Sequence, residues 1–203
     1  MLNSSFIDSY GGVDILVDEI DWALFMPIRH LHREWSIHIV GNTFSTSEGT
    51  TNVLINDYRH VQYPDEGFPI LSVIKNNKFK LGDGSVGVMC PSSHDAQIRN
   101  NQFTGHGNAG VVLDRIDVDF YGMIMLGDYV ENAMILGNNF SNATFDQAAV
   151  VLTEYTKNCT VIGGNIKDQV INEGEDNRIV NASVRKGPFK MQPTSFPQPP
   201  NGA

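Results

Sequence analysis

A short motif that recurs without a fixed period constrains this chain more than anything else in it. "HIVGNTF" ends at Phe44, "SVIKNNKF" at Phe79, "QIRNNQF" at Phe103 and "AMILGNNF" at Phe140. Weaker copies follow in "VIGGNI" at Ile166 and "RIVNASV" at Val184, and "NSSF" at Phe6 aligns with the same anchor. Aliphatic residues followed by Gly or Asn and then an aromatic make a poor helix, and the Gly and Asn interrupt any single strand. The anchors are separated by 38, 35, 24, 37, 26 and 18 residues. A floor near ~20 with irregular excess implies a fixed structural unit that tolerates insertions of variable length.

A second apolar run follows each of the first five anchors: "DILV" at 14–17, "NVLI" at 52–55, "VGVM" at 86–89, "GVVL" at 110–113 and "AVVL" at 149–152. Each unit therefore offers at least two short, β-branched strands. Gly, Asn, Ser and Asp occupy the turns between them, residues that accept left-handed backbone or bend it by side-chain hydrogen bonds. Short strands repeated in this way bury their apolar faces by stacking on the strands of the neighbouring unit. The pattern resembles the right-handed parallel β-helix family, the pectin-lyase-like proteins, over nearly the whole chain to about Val184. The resemblance implies an all-β solenoid of about six to seven coils, and it alone supplies the handedness. Asn42, Asn76, Asn101 and Asn138 are then candidates for a ladder of stacked side-chain amides, with a one-residue ambiguity where asparagines are doubled. Phe44, Phe79, Phe103 and Phe140 would stack inside, with Ile166 and Val184 continuing the column.

Composition narrows the partners. The 203 residues, 41% hydrophobic and 18% charged, suit one domain. A net charge of -9, with fourteen scattered Lys and Arg, argues against nucleic acid. No apolar run approaches the roughly 18 residues that cross a bilayer, and "MLNSSFIDSYGG" lacks the basic start and apolar core of a signal peptide. No membrane partner is expected. The chain shows no address, and an extracellular or cell-surface setting is the expectation. Cys90 and Cys159 each sit at the end of an apolar run and read as buried free thiols.

The repeat spans residues 1–185. Within it, residues 17–35 read as an insertion or cap with one short helix before Pro27. Residues 186–203 form a Pro-rich strap or tail, since they cannot continue a sheet. The repeat is already running at Phe6, so its first coil needs covering by a missing segment, a neighbouring subunit or the insertion folding back.

The resemblance implies that a site would be built from one lateral position on consecutive coils, where family members act on acidic polysaccharides. Aligning the second strands gives Asp18, Asn56, Cys90, Asp114 and Thr153 at one position, and Glu19, Asp57, Pro91, Arg115 and Glu154 at the next. Just beyond lie Arg59, His60, His94, Asp95, Asp117, Asp119 and Lys157. In "LDRIDVDF" strand alternation puts Arg115, Asp117 and Asp119 on one face. Asp114, Arg115, Asp117, Asp57 and His60 are the candidate catalytic residues. Two carboxyls can share acid and base roles in glycoside hydrolysis; alternatively, carboxylates can hold Ca²⁺ that bridges to a uronate, with Arg115 as clamp or base. A solvated polar exterior is the plainer explanation of the same residues. "TGHGNAG" around His106 is similar to the Gly-His-Gly of polygalacturonases, but the acid and base motifs of that family are missing. Three classes of function follow: a polysaccharide lyase or hydrolase; a non-catalytic carbohydrate-binding module using exposed tyrosines such as Tyr58, Tyr63, Tyr121 and Tyr129; and a structural or assembly module of a larger surface or phage-fibre protein.

Overall fold

In the computed structural model, which describes residues 5–7, 13–17, 36–46, 49, 51–57, 71–90, 95–115, 118–120, 123–125, 129–163 and 170–187, the best copies of the motif are a strand, a two-residue corner and a second strand. The strands before the corner are β3 (Ser36–Val40), β6 (Leu71–Lys75), β9 (Gln97–Arg99), β14 (Met134–Leu136), β17 (Thr160–Ile162) and β19 (Arg178–Val180). They form one parallel six-stranded sheet. Strands β1 (Ser5–Ile7), β4 (Thr43–Ser45) and β7 (Lys78–Leu81), with the first parts of β10 (Gln102–Leu113) and β15 (Asn139–Leu152), pair in parallel beyond the corner. The second apolar runs are β2 (Val13–Val17), β5 (Thr51–Asp57), β8 (Val86–Met89), the last parts of β10 and β15, then β18 (Val170–Asn172) and β20 (Val184–Arg185). These join the same ten-stranded sheet, because β10 and β15 run through both strips. A small parallel pair, β13 (Val130–Glu131) with β16 (Thr156–Lys157), lies after the second strip, and β11 (Val118–Phe120) pairs antiparallel with β12 (Met123–Met125).

The described part is thus all-β, built of stacked parallel strands in a β-helix-like arrangement, with no helix among the described residues. Among them, too, no helix is long and apolar enough to cross a membrane. Residues 18–35, including the short helix predicted before Pro27, lie outside the described residues, as does the tail from residue 188.

The corner explains the doubled asparagines. Its first residue is Gly41, Asn76, Asn100, Gly137, Gly163 or Asn181, all with φ between 54° and 71°. Gly, and next to it Asn and Asp, take that left-handed conformation at least cost. Its second residue is Asn42, Asn77, Asn101 or Asn138, each at most 1% exposed. The Nδ2 groups of Asn42, Asn77 and Asn101 donate to Oδ1 of the next asparagine at 3.2, 3.0 and 3.0 Å. Their backbone N–H groups donate to the same oxygens at 2.8, 2.9 and 2.9 Å. The ladder is therefore Asn42, Asn77, Asn101 and Asn138. Asn76, expected as a rung, instead makes the turn and is exposed, and Asn77 takes its place.

Two residues on, Phe44, Phe79, Phe103 and Phe140 stack with ring centroids 5.0, 4.9 and 4.6 Å apart and planes within 19°. Phe6 holds the matching backbone register with Phe44. The column does not reach Val184, which pairs with Val170 in the second strip and is 50% exposed; Ile166 lies outside the described residues. Room for the rings comes from glycines inside the second strip. A Cβ on Gly87 would lie 2.5 Å from the Phe103 ring, and one on Gly110 2.6 Å from the Phe140 ring.

The second strip departs from the polar exterior expected of it. Val88, Val111 and Val150 face the main core, while Met89, Val112, Val151 and Ile171, at most 3% exposed, form a separate apolar cluster. Alternation puts that cluster on the opposite face, so the strip is apolar on both sides. Both cysteines are buried free thiols, and burial pushes them up to about 12 for Cys90 and about 11 for Cys159.

Candidate functional site

Where the second strip ends, the apolar pattern ends with it. Leu113 pairs with Leu152, and the Thr153 N–H extends the ladder by donating to the Leu113 carbonyl at 3.2 Å. The next residues, Asp114 and Arg115 on one tier and Thr153, Glu154 and Tyr155 on the next, emerge together. The Thr153 hydroxyl donates to Asp114 Oδ1 at 2.7 Å, and the Arg115 N–H donates to the same oxygen at 2.8 Å. Burial raises the pKa of Asp114 above the usual carboxylate range. The two hydrogen bonds and the Arg115 charge oppose the rise, and the Glu154 charge adds to it.

Arg115 turns its guanidinium over Tyr155, with Cζ 4.1 Å from the ring centroid. This is within cation–π range. The Tyr155 ring meets Tyr129 edge-on at 6.0 Å, and Tyr129 is 44% exposed. The β13–β16 pairing fixes this contact, since each tyrosine immediately precedes a residue of the Val130–Thr156 pair. A carboxyl, a guanidinium and two phenol rings thus line one corner.

Of the predicted residues, the structure brings Asp114 and Arg115 to this corner. Asp57 ends β5, with its side chain outside the described residues, and His60 and Asp117 lie outside them altogether. The predicted polar column holds in register for Asn56, Asp114 and Thr153, each three residues past the mutual partners Val53, Val111 and Val150, and slips at Cys90 and Asp18. Val53, Val88, Val111 and Val150 are mutual partners, which sets Cys90 level with Leu113 and Leu152, inside the core. Leu16 rather than Asp18 lies opposite Asn56. The strand expected to carry Arg115, Asp117 and Asp119 on one face stops at Leu113, and Val118–Phe120 belongs to a separate hairpin. Tyr155 was missed, although it lies three residues past Leu152, the end of the apolar run at 149–152.

His106 stands apart on an exposed stretch of the otherwise largely buried β10, with Nδ1 2.9 Å from Thr144 Oγ1 and Nε2 3.2 Å from Asp146 Oδ1. Among the described residues no three His, Cys, Asp or Glu side chains converge as metal ligands. The chain matches no protein-family model, no curated protein and no solved structure.

Proposed function

We propose that the chain is a right-handed parallel β-helix of the pectin-lyase-like kind, and that it acts on a polysaccharide held at the corner of Asp114, Arg115, Tyr129 and Tyr155. The stacked parallel sheets, the asparagine ladder and the phenylalanine column support the fold part of this reading. One observation carries the functional part: a half-buried carboxyl, Asp114, held by the Thr153 hydroxyl and the Arg115 N–H and raised in pKa by burial, sits near an exposed second carboxyl, Glu154, and an aromatic pair. A carboxyl with a raised pKa suits the role of proton donor to a glycosidic oxygen, with a second carboxyl as base or nucleophile. Tyr129 offers a stacking surface for a sugar ring, and Arg115, braced on Tyr155, a donor for its substituents. This chemistry is hydrolytic; a lyase would need a base or a bound Ca²⁺ in addition.

A second reading, a module that binds without cleaving, is favoured by the exposed Tyr129 against Tyr155. Assays of reducing ends, and of ultraviolet-absorbing unsaturated ends, over a panel of acidic and neutral polysaccharides with and without Ca²⁺ separate the two. The enzymatic reading expects turnover lost in Asp114→Asn. Binding without turnover, lost in Tyr129→Ala, selects the module. Neither binding nor turnover on any polymer overturns the carbohydrate reading and leaves a structural or assembly role.

A further inference from the structure

The chain carries a net charge of -9, yet four of its fourteen cationic side chains gather where the six-stranded sheet turns into the next strip. Lys75 ends β6 and pairs in register with Arg99, so the two stack on adjacent strands about 4.8 Å apart. Across the Asn76–Asn77 corner, Lys78 and Lys80 of β7 both point outward, with Phe79 buried between them. Among the described residues none of the four has a carboxylate within ion-pair distance. Arg99 also keeps a buried Nε with no hydrogen-bond partner. Thr43 and Gln102, the register neighbours of Lys78, add neutral polar groups on the same face.

Like charges stacked at strand spacing repel one another, and a bound polyanion lowers that repulsion. The geometry points to a second ligand surface here, for an anionic glycan. Two arguments select this chemistry. The cations face outward on either side of a corner, so no single small anion reaches all four, whereas a polymer carrying several anionic groups can meet each in turn. The described register neighbours of Lys78 carry a hydroxyl and an amide, Thr43 and Gln102, which suit sugar hydroxyls. A polynucleotide would further have to approach an acidic molecule with only four cations to neutralise it. The polymer class rests on the carbohydrate reading above; the surface does not, because none of its residues belongs to the Asp114 corner.

The test is equilibrium binding of dextran sulfate, uncharged dextran and a single-stranded oligonucleotide at low and high salt. Wild type should bind dextran sulfate, release it with salt and ignore dextran. Lys78→Glu/Lys80→Glu, both exposed, should weaken binding by about tenfold or more while leaving thermal unfolding in place. Asp114→Asn should bind dextran sulfate as wild type does. Binding unchanged in the double variant, or no binding at low salt, overturns the surface. Oligonucleotide held as tightly as dextran sulfate overturns the glycan assignment. Loss of binding in Asp114→Asn but not in the lysine variant refutes this surface and leaves the Asp114 reading standing.

Discussion

Two corners of this chain carry polar side chains, and they solve opposite problems. At the corner between the six-stranded sheet and the next strip, the same residues recur on tier after tier: a left-handed Gly or Asn, a buried ladder Asn and a stacked Phe. At the far end of the second strip no such repeat is seen among the described residues. Asp114 and Thr153 occupy equivalent places with different chemistry, and Arg115 and Tyr155 meet across tiers. Repetition satisfies groups that would otherwise be buried unpaired, since each Asn is both acceptor and donor to its copy. A site needs the reverse, dissimilar groups converging on one point. The same backbone repeat therefore yields structure where the sequence repeats and candidate chemistry where the repetition stops.

The comparison is most easily broken at the repeating corner. Phe103 is fully buried with a ring stacked on either side, at 4.9 and 4.6 Å. Phe103→Ala should cost roughly 3 to 5 kcal/mol in urea unfolding. A loss below about 1 kcal/mol would mean the column contributes little. Next in size is Asn101→Ala. The Asn77 N–H and Nδ2 both donate to Asn101 Oδ1, and losing that oxygen strands two buried donors. The expected loss is roughly 2 to 4 kcal/mol, and Asn76→Gly at the exposed turn should remove no rung. If Asn76→Gly and Asn101→Ala proved equally damaging, the division between turn residue and rung would be wrong.

How far the sequence could be read follows the same division. Parallel stacking, the ladder and the aromatic column were legible because each copy of the motif restates them. The rung at residue 76 was misplaced because "NN" presents two identical residues, and only backbone conformation tells which turns and which bonds. Val184 was assigned to the aromatic column because it follows its asparagine at nearly the right distance, whereas strand pairing places it beside Val170. Glycines at 87 and 110 look like weak points inside strands; they make room for Phe103 and Phe140, a relation between tiers that one strand cannot reveal. The polar column slipped at Cys90 and Asp18 because its register was inferred from apolar runs of unequal length, and one residue of slip moves a side chain to the other face. Cys90 shows the slip: it was aligned with Asp114 and lies level with Leu113. Tyr155 could not be found by repetition at all, since its partner Arg115 occurs in a different context.

The smallest expected effect sharpens the comparison at the unrepeated corner. Burial raises the Asp114 pKa above the 3.8 of a free aspartate, so the folded protein holds this proton more tightly than the unfolded chain does. Stability from that proton is complete below the unfolded pKa and is lost as pH rises through the folded one. Asp114→Asn keeps an oxygen to accept from the Thr153 hydroxyl and the Arg115 N–H but never ionises. Its melting temperature should therefore match wild type in acid and exceed it modestly at neutral pH, with the gap opening on the alkaline side of the aspartate range. A ladder residue would behave otherwise, because replacing it removes bonds at every pH. Should Asp114→Asn instead melt below wild type at neutral pH and converge with it in acid, the ionised carboxylate would be a structural acceptor for Thr153 and Arg115. The corner would then belong with the repeating one, as packing rather than chemistry.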